Sequence, residues 1–182
     1  MAKKVLSSEI KNALGEVRRA KIAEARRYAE QLGKLGYAAI FDAYQKREYE
    51  NQSYNLHDSY GCAVYVKGEL IKSSIHFAGS EQSRKDDKNT GMDGRETLMH
   101  YFDTHKFGTG KHEIVLVCVA AMYYAGILES GQYGGGGNRK KIQVISGARD
   151  YIDRNWRRFF PNDKTKGFSI VKRESFHLSE LQ

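Results

Sequence analysis

The chain has 182 residues, of which 40% are hydrophobic and 29% are charged. These proportions are typical of a globular protein of one domain, and they exclude a chain that is disordered throughout. The formal net charge of +8 favours contact with a polyanion or with an acidic protein surface.

The sequence carries no sign of a membrane or secreted protein. The longest apolar run lies near residues 114–121, well short of the roughly 18 residues that a membrane-spanning helix needs. The first residues, M-A-K-K-V, lack the apolar stretch of a signal peptide. Cys62 and Cys118 match no metal-ligand spacing, which favours reduced cysteines in the cytosol. We therefore expect no membrane partner.

Helical periodicity dominates the first 50 residues. Residues 7–35 predict a helix capped by Ser7 or Ser8, and Gly33 and Gly36 are its expected stop signals. Residues 37–50 predict a second helical segment. The apolar positions of the first helix form one stripe, which consists of Ile10, Leu14, Val17, Ala25, Tyr28 and Leu32.

After residue 54 the apolar period changes to two residues. Residues 62–66 alternate as a strand does, Lys67, Gly68 and Glu69 predict a turn, and residues 70–77 predict the returning strand of a hairpin. The polar stretch 79–94 predicts a long loop, which a helix over 95–106 follows. Residues 114–119 are almost all apolar and mostly β-branched, and this pattern predicts a strand buried on both faces.

The last third of the chain is predicted to be mainly helical. Residues 123–130 predict a short helical turn closed by Gly131, and residues 134–137 a glycine-rich loop. Residues 142–160 carry the clearest helical pattern, which Pro161 ends. Residues 168–173 predict one further strand.

The predicted architecture is therefore α+β, with a long N-terminal helix and a C-terminal helix packed on a small antiparallel sheet that carries long inserted loops. We expect a single domain over residues 1–160, and a C-terminal tail or arm over residues 161–182.

Catalytic and metal-binding patterns have no positive support in the sequence. The six histidines are scattered, and the five-residue step from His100 to His105 does not return to one helical face. Residues 134–137 lack the Gly-Lys-Ser/Thr ending of a phosphate-binding loop. We expect no cofactor and no enzymatic activity. A small metal-dependent nuclease is kept as an alternative, and its candidate metal ligands are Asp86, Asp87, Asp93 and Glu96.

Basic residues crowd the first and last helices. Such helices suit contact with DNA phosphates, which requires no reading of the base sequence. Solvated helix faces, with charges paired to nearby Glu and Asp, explain the same pattern. A basic nucleic-acid-binding protein is therefore a second alternative. The candidate contacts with DNA or an acidic partner are Arg139, Lys140, Lys141, Arg157 and Arg158.

Two segments resemble the signatures of a known family. The sequence N-L-H-D-S-Y at 55–60, ahead of an alternating strand, is similar to the Gly-Asn-Leu-Arg-x-Ser signature of phage tail-completion proteins. The sequence Y-A-G-I-L-E-S-G at 124–131 resembles their second signature, Tyr-Ala-x-x-x-Glu-x-Gly. The order of elements over residues 10–160 is also similar. The chain departs from the family at Tyr54, where the signature has glycine, in the loop 79–94, and from residue 161 onward.

The resemblance implies a structural virion protein of the head–tail joining, or neck, group of tailed bacteriophages. Such subunits form a ring of six or twelve copies between the portal or its adaptor and the tail, next to neighbouring tail and ring proteins. The ring surrounds the DNA channel, and the virion is assembled in the host cytoplasm. The residues implied to hold the first strand are Asn55, Leu56 and Ser59. The residues implied to lie at the seam between subunits are Tyr124, Glu129 and Gly131.

Overall fold

The computed structural model describes residues 2–49, 55–76, 91–110, 113–122, 124–131 and 141–162, with side chains from residue 8 onward. These segments form an α+β fold, which confirms the predicted class. The helices are α1 (Ala2–Gln45), α2 (Gly94–Thr104), α3 (Ala125–Ser130) and α4 (Ser146–Phe159), and a 3-10 helix (His57–Ser59) precedes the first strand. The strands are β1 (Tyr60–Val66), β2 (Glu69–Ile75) and β3 (Ile114–Ala120).

β1 and β2 form the hairpin that the sequence predicts. The strands are antiparallel, with Val66 opposite Glu69, so that Lys67 and Gly68 alone connect them. Both connecting residues have positive φ, at 55° and 81°. Turns of this kind match the twist of the two strands that they join. Glycine adopts the required conformation without strain, which is why the sequence marks the turn so clearly.

β1 is the central strand of the sheet, whose order is β2-β1-β3. β3 pairs antiparallel with β1, from Ala120 opposite Tyr60 to Ile114 opposite Val66. Every residue of β1 before Val66 is buried. In β3 only the last two residues are buried, and those before them are half-buried. The prediction that residues 114–119 form the strand buried on both faces is therefore wrong. Among the described strands β3 pairs on one side only, and this edge position leaves it less covered than β1.

Helices cover both faces of the sheet. α1 lies on the face that carries Cys62 and Val64, and α4 packs beside it against the same face. α2 lies on the opposite face, where its apolar side chains contact Ala63 and Tyr65. Because helices cover both faces, the alternating side chains of β1 are buried whichever way they point.

Aromatic side chains hold α4 against α1. Trp156 stacks on Phe160 with 4.2 Å between ring centroids, and the ring of Tyr28 in α1 lies 4.7 Å from that of Phe160. Aromatic contacts of this kind contribute about 0.5–1.5 kcal/mol each beyond the burial of their area. α4 ends at Phe159, just ahead of Pro161, as the sequence predicts.

α1 is one continuous helix, so the predicted stop at Gly33 and Gly36 and the separate helical segment over 37–50 are wrong. A Cβ on Gly36 would lie 2.6 Å from Cδ1 of Leu116 and 3.0 Å from Sγ of Cys62. The absence of a side chain at this position lets the helix backbone approach β1 and β3 closely. A glycine that serves close packing has the same local pattern as one that ends a helix.

The first half of α1 projects beyond the covered part of the fold. From residue 8 to residue 27 every residue is exposed except the half-buried Gly15 and Ala25, and we call this segment the N-terminal arm. At 1.5 Å per residue the arm is about 30 Å long. Ile10, Leu14 and Val17 are 54%, 64% and 53% exposed. The apolar stripe predicted for the first helix is therefore covered only at its C-terminal end.

The remaining elements differ from the predictions mainly at their ends. α2 covers residues 94–104 instead of 95–106, and α4 begins at Ser146 instead of residue 142. Gly131 closes α3 in the left-handed conformation, with φ of 76°, as predicted. The glycine-rich loop 134–137, the strand 168–173 and most of the loop 79–94 lie outside the described residues. The division into a domain over 1–160 and a tail over 161–182 stays a prediction.

Candidate functional site

The first signature segment forms a buried turn ahead of β1. Asn55, Leu56 and Ser59 are 3%, 4% and 0% exposed. The hydroxyl of Ser59 donates a hydrogen bond of 2.9 Å to the carbonyl of Leu56. The carbonyl of Ser59 accepts a hydrogen bond of 3.0 Å from the amide of Ala121, just past the end of β3. Ser59 therefore closes the turn through its side chain and joins the two strands through its backbone.

α2 begins directly against this turn. A Cβ on Gly94 would lie 1.9 Å from the carbonyl oxygen of Asn55, so a side chain fits at position 94 only if the backbone shifts. The Asp93 carboxylate accepts from the Glu96 amide over 2.8 Å, and the Glu96 carboxylate accepts from the Asp93 amide over 3.1 Å. This reciprocal cap satisfies two amides at the helix start that have no partner within the helix.

The acids of the nuclease hypothesis are not assembled into a metal site in the part of the chain that the structure describes. Asp93 and Glu96 form the cap of α2. Asp86 and Asp87 lie outside the described residues. Within the described ranges, no group of three or more His, Cys, Asp or Glu side chains is arranged to hold a metal ion.

The second signature segment builds α3 and reaches across to α4. Tyr124 precedes the helix, and the amide of Gly131 closes it with a bond of 3.2 Å to the carbonyl of Leu128. Oε1 of Glu129 accepts hydrogen bonds from three consecutive backbone amides. Their donors are Val144 at 3.2 Å, Ile145 at 2.5 Å and Ser146 at 2.8 Å.

The Glu129 carboxylate therefore caps α4 from another helix. The residue before α4, Ile145, provides no side-chain cap of its own, and the first amides of a helix have no partner within it. The dipole of α4 also favours a negative charge at this end. This contact is internal to the chain, and the assignment of Glu129 to a seam between subunits stays a prediction.

The two signature segments meet at one end of the sheet, which we call the signature cluster. The hydroxyl of Tyr60, directly after the first signature, donates to the carbonyl of Val144 over 3.0 Å. The amide of the same Val144 is held by Glu129 of the second signature. The apolar side chains that fill the cluster include Leu56, Tyr60, Ala120, Met122, Ala125 and Val144.

A second tyrosine hydroxyl adds to this cluster. The hydroxyl of Tyr49 donates to that of Tyr60 over 3.3 Å. Burial raises the pKa of Tyr49 to about 12 and that of Tyr60 further still. Both hydroxyls therefore stay protonated at physiological pH and act here as hydrogen-bonding groups.

Next to the signature cluster lies a buried chain of polar side chains that sequence reasoning missed. The hydroxyl of Tyr44 is hydrogen-bonded to Nε2 of His57, and Nδ1 of His57 lies 2.9 Å from the Asp58 carboxylate. His57 and Asp58 are 6% and 1% exposed. Tyr44 belongs to α1 and is itself buried. We therefore interpret these three hydrogen-bonded side chains as a link that fixes α1 to the first signature.

His76, the residue after β2, lies on another side of Tyr44. Its ring centroid is 4.2 Å from that of Tyr44 and 5.3 Å from that of Phe41. The residue is 8% exposed, and neither ring nitrogen has a hydrogen-bond partner among the described residues. Burial lowers the pKa of His76, the nearby His57 and Arg47 lower it further, and Asp58 opposes them. Nothing in the sequence distinguishes His76 from the other five histidines.

The two cysteines lie opposite each other on β1 and β3. Their sulfur atoms lie beneath α1, with Cys62 3.8 Å from the carbonyl of Gly33 and Cys118 4.0 Å from that of Gly36. Burial raises the pKa of the Cys62 thiol to about 12, and it raises that of Cys118 as well. Thiols held protonated in this way are poor nucleophiles and poor metal ligands.

The predicted basic contacts are not brought together. Arg157 and Arg158 are exposed in the last turn of α4, where the helix dipole favours positive charge. Lys141 is exposed ahead of the other end of this helix, which is about 21 Å long. Arg139 and Lys140 lie outside the described residues.

Comparison with family models, curated proteins and solved structures gives no match for this chain. The similarity of residues 55–60 and 124–131 to the tail-completion signatures depends on those residues alone. Among the described helices, none combines the length and the apolar character needed to cross a bilayer.

Proposed function

We propose that this chain is a structural virion subunit in the head–tail connector, or neck, of a tailed bacteriophage. In this role six or twelve copies form a ring that joins the portal or its adaptor to the tail and surrounds the DNA channel. The subunit acts through contacts with other chains and performs no catalytic step.

The observation that carries the proposal is the meeting of the two signature segments. Tyr60, directly after the first signature, holds the carbonyl of Val144, and Glu129 of the second signature holds the amide of the same residue. The antiparallel pairing of β1 and β3, with Tyr60 opposite Ala120, brings the two segments to the same end of the sheet. Each segment also has a distinct task here, since Ser59 closes the turn before β1 and Gly131 closes α3.

The N-terminal arm supplies a surface suited to contacts with other chains. Its apolar residues Ile10, Leu14 and Val17 are all more than half exposed, although they follow the spacing of a buried helix face. Apolar patches of this kind mark interfaces with other proteins when they are contiguous. The arm adds little to the packing of its own domain, so these side chains stabilise the protein only when a partner covers them.

A phage in which the gene for this chain carries an amber codon tests the proposal. In a non-suppressing host we expect heads and tails that fail to join, visible by negative-stain electron microscopy, with little or no infectious phage. Wild-type protein supplied from a plasmid restores joining. Complete, infectious particles formed without the chain would sink the proposal.

Complementation with variants separates the arm from the rest of the molecule. Leu14→Asp places a charge in the exposed stripe and leaves the packed part of the fold untouched, so we expect it to fold and to fail in complementation. Glu30→Ala changes an exposed residue of α1 on another face and should complement fully. If Leu14→Asp complements as well as the wild type, the arm does not make the proposed contacts.

The exposed arginines of α4 favour one second candidate, a protein that binds DNA without reading its sequence. Arg149, Arg154, Arg157 and Arg158 are all exposed, and phosphate contacts of this kind depend steeply on salt. Fluorescence anisotropy of a labelled duplex distinguishes the two candidates. A free DNA-binding protein binds as an isolated monomer at about 1 µM or below, and its affinity falls at least about a hundredfold between roughly 50 and 200 mM salt. A ring subunit binds the duplex only weakly on its own.

A further inference from the structure

The exposed stripe of the arm continues the face of α1 that is buried further along the helix. Eighteen residues make about five turns, so Ile10, Leu14 and Val17 lie on the same lines as Tyr28, Leu32 and Leu35. In the body of the fold these lines face α4 and the sheet, and Leu32 and Leu35 are 6% and 0% exposed. The arm therefore presents a helix face of the kind that packs, with nothing from the described residues covering it.

Charged residues of opposite sign flank this stripe. Successive residues are about 100° apart around a helix, which places Glu9 and Glu16 on one side of Ile10 and Val17 and places Lys11 and Arg18 on the other. All four charged residues are exposed. The apolar stripe thus has an acidic flank and a basic flank over two turns. Lys21, on the same line as Leu14, ends the apolar part of the stripe.

This arrangement decides how two arms can pack. When two identical helices lie parallel with their stripes together, the acidic flank of each faces the basic flank of the other. When they lie antiparallel, acid faces acid and base faces base. Flanking charges of this kind set the choice of partner and its orientation.

We propose that the N-terminal arms of neighbouring copies pack side by side in parallel. Ile10, Leu14 and Val17 meet in the seam, with Glu9 and Glu16 of one copy facing Lys11 and Arg18 of the next. Copies around a ring axis are related by rotation, so arms that run along the axis are parallel. In a closed ring each arm has two neighbours, so its acidic flank faces the basic flank of one and its basic flank faces the acidic flank of the other, with the apolar stripes side by side. This inference rests on the proposed ring and names the contact that the arm makes within it.

The area of the seam sets its strength. Three partly exposed side chains from each copy bury far less surface area than the roughly 1,200–2,000 Å² that a stable interface buries. Pairing through the arms alone is therefore weak. Because weak pairs form only at high protein concentration, cross-linking at high concentration is the suitable test.

Single cysteines on the arm report the arrangement in the full-length chain at about 100 µM. Two parallel arms bring Ile10 of one copy next to Ile10 of the other, so Ile10→Cys cross-links to itself with a short bismaleimide. Arg19→Cys, on the far side of the arm, is the matched control. Beneath α1, Cys62 is buried and Cys118 is half-buried. The parent chain therefore measures the background cross-linking from these two thiols. The arm lies outside the packed body, so all variants should keep the parent's circular dichroism spectrum and melting temperature.

Charge reversal tests the flanks in the Ile10→Cys background. Glu9→Lys with Glu16→Lys makes both flanks basic, and Lys11→Glu with Arg18→Glu makes both acidic. We expect each pair to lower the cross-linking yield about tenfold, because two attractions become repulsions, and a one-to-one mixture to restore it.

Three results would overturn the inference. The first is an Ile10→Cys yield no higher than that of Arg19→Cys, and the second is a yield that charge reversal leaves unchanged. The third is cross-linking of Ile10→Cys to Val17→Cys that exceeds that of either alone, since this marks antiparallel arms. None of these depends on phage. If the arms cross-link in parallel but the chain is absent from virions, only the proposed function is wrong. If the chain is present in virions but its arms do not cross-link, only the parallel packing of the arms is wrong.

Discussion

Replacement of Glu129 tests the reading of the signature cluster most sharply. In Glu129→Ala three consecutive amides at the start of α4 lose the oxygen that accepts their hydrogen bonds. A single helix cap is worth about 1 kcal/mol, and hydrogen bonds to an ionised group are about twice as strong as neutral ones. Water satisfies part of the loss, because the site is only half-buried. We therefore expect the free energy of unfolding to fall by about 2–4 kcal/mol.

Two further variants separate the contributions of charge and geometry. Glu129→Gln keeps an oxygen acceptor and loses the charge, so it should lose only about 1 kcal/mol, through the helix dipole and the weaker bonds. Glu30→Ala removes an exposed carboxylate from α1 and should stay within about 0.5 kcal/mol of the wild type. Urea denaturation followed by far-ultraviolet circular dichroism measures all three. If Glu129→Ala unfolds at the same urea concentration as Glu30→Ala, the carboxylate does not anchor α4 and the account of the second signature is wrong.

Three other predictions concern the packing of the fold. Gly36→Ala should destabilise the protein by about 1–3 kcal/mol, because its Cβ would lie 2.6 Å from a Leu116 methyl. Gly15→Ala in the arm, where an added Cβ has no atom within 4 Å, should stabilise α1 by about 0.5–1 kcal/mol. If both variants change the free energy of unfolding equally in chemical denaturation, Gly36 does not bring α1 close to β1 and β3. Burial lowers the pKa of His76 in the folded state. The stability that depends on neutral His76 is therefore fully present above about pH 6.5, the pKa in the unfolded chain, and is lost as the pH falls through the pKa in the folded protein. The melting temperature should therefore drop on acidification less steeply in His76→Phe than in the wild type, and parallel curves would exclude this role. Cys62 and Cys118 should resist a thiol reagent such as dithionitrobenzoate until the chain unfolds, and fast labelling of the native protein would show that α1 does not cover them.

The parts of the fold that the sequence predicts well are those decided locally. Lys67 and Gly68 mark the hairpin because the turn itself requires positive φ. Pro161 and Gly131 mark helix ends for similarly local reasons. Gly36 was misread because its role is tertiary, since the atoms that exclude a side chain belong to Leu116 and Cys62.

Strand order and the candidate site also depend on distant parts of the chain. An apolar run such as 114–119 does not reveal whether its strand lies at the centre or the edge of a sheet. The signatures singled out Ser59 and Glu129, but the partners of Glu129 lie 15 to 17 residues further along the chain, beyond the reach of any local pattern. His76 gave no sequence signal at all, because its surroundings come from α1.

The central claim is that the chain is a structural part of a phage particle, present in a fixed small number. Quantitative mass spectrometry of purified virions, with labelled reference peptides for this chain and for the portal, tests it most directly. The account predicts six or twelve copies for each portal ring, retained after extensive washing at high salt. Virions that lack the chain, or that hold it in variable amounts removed by washing, would contradict it.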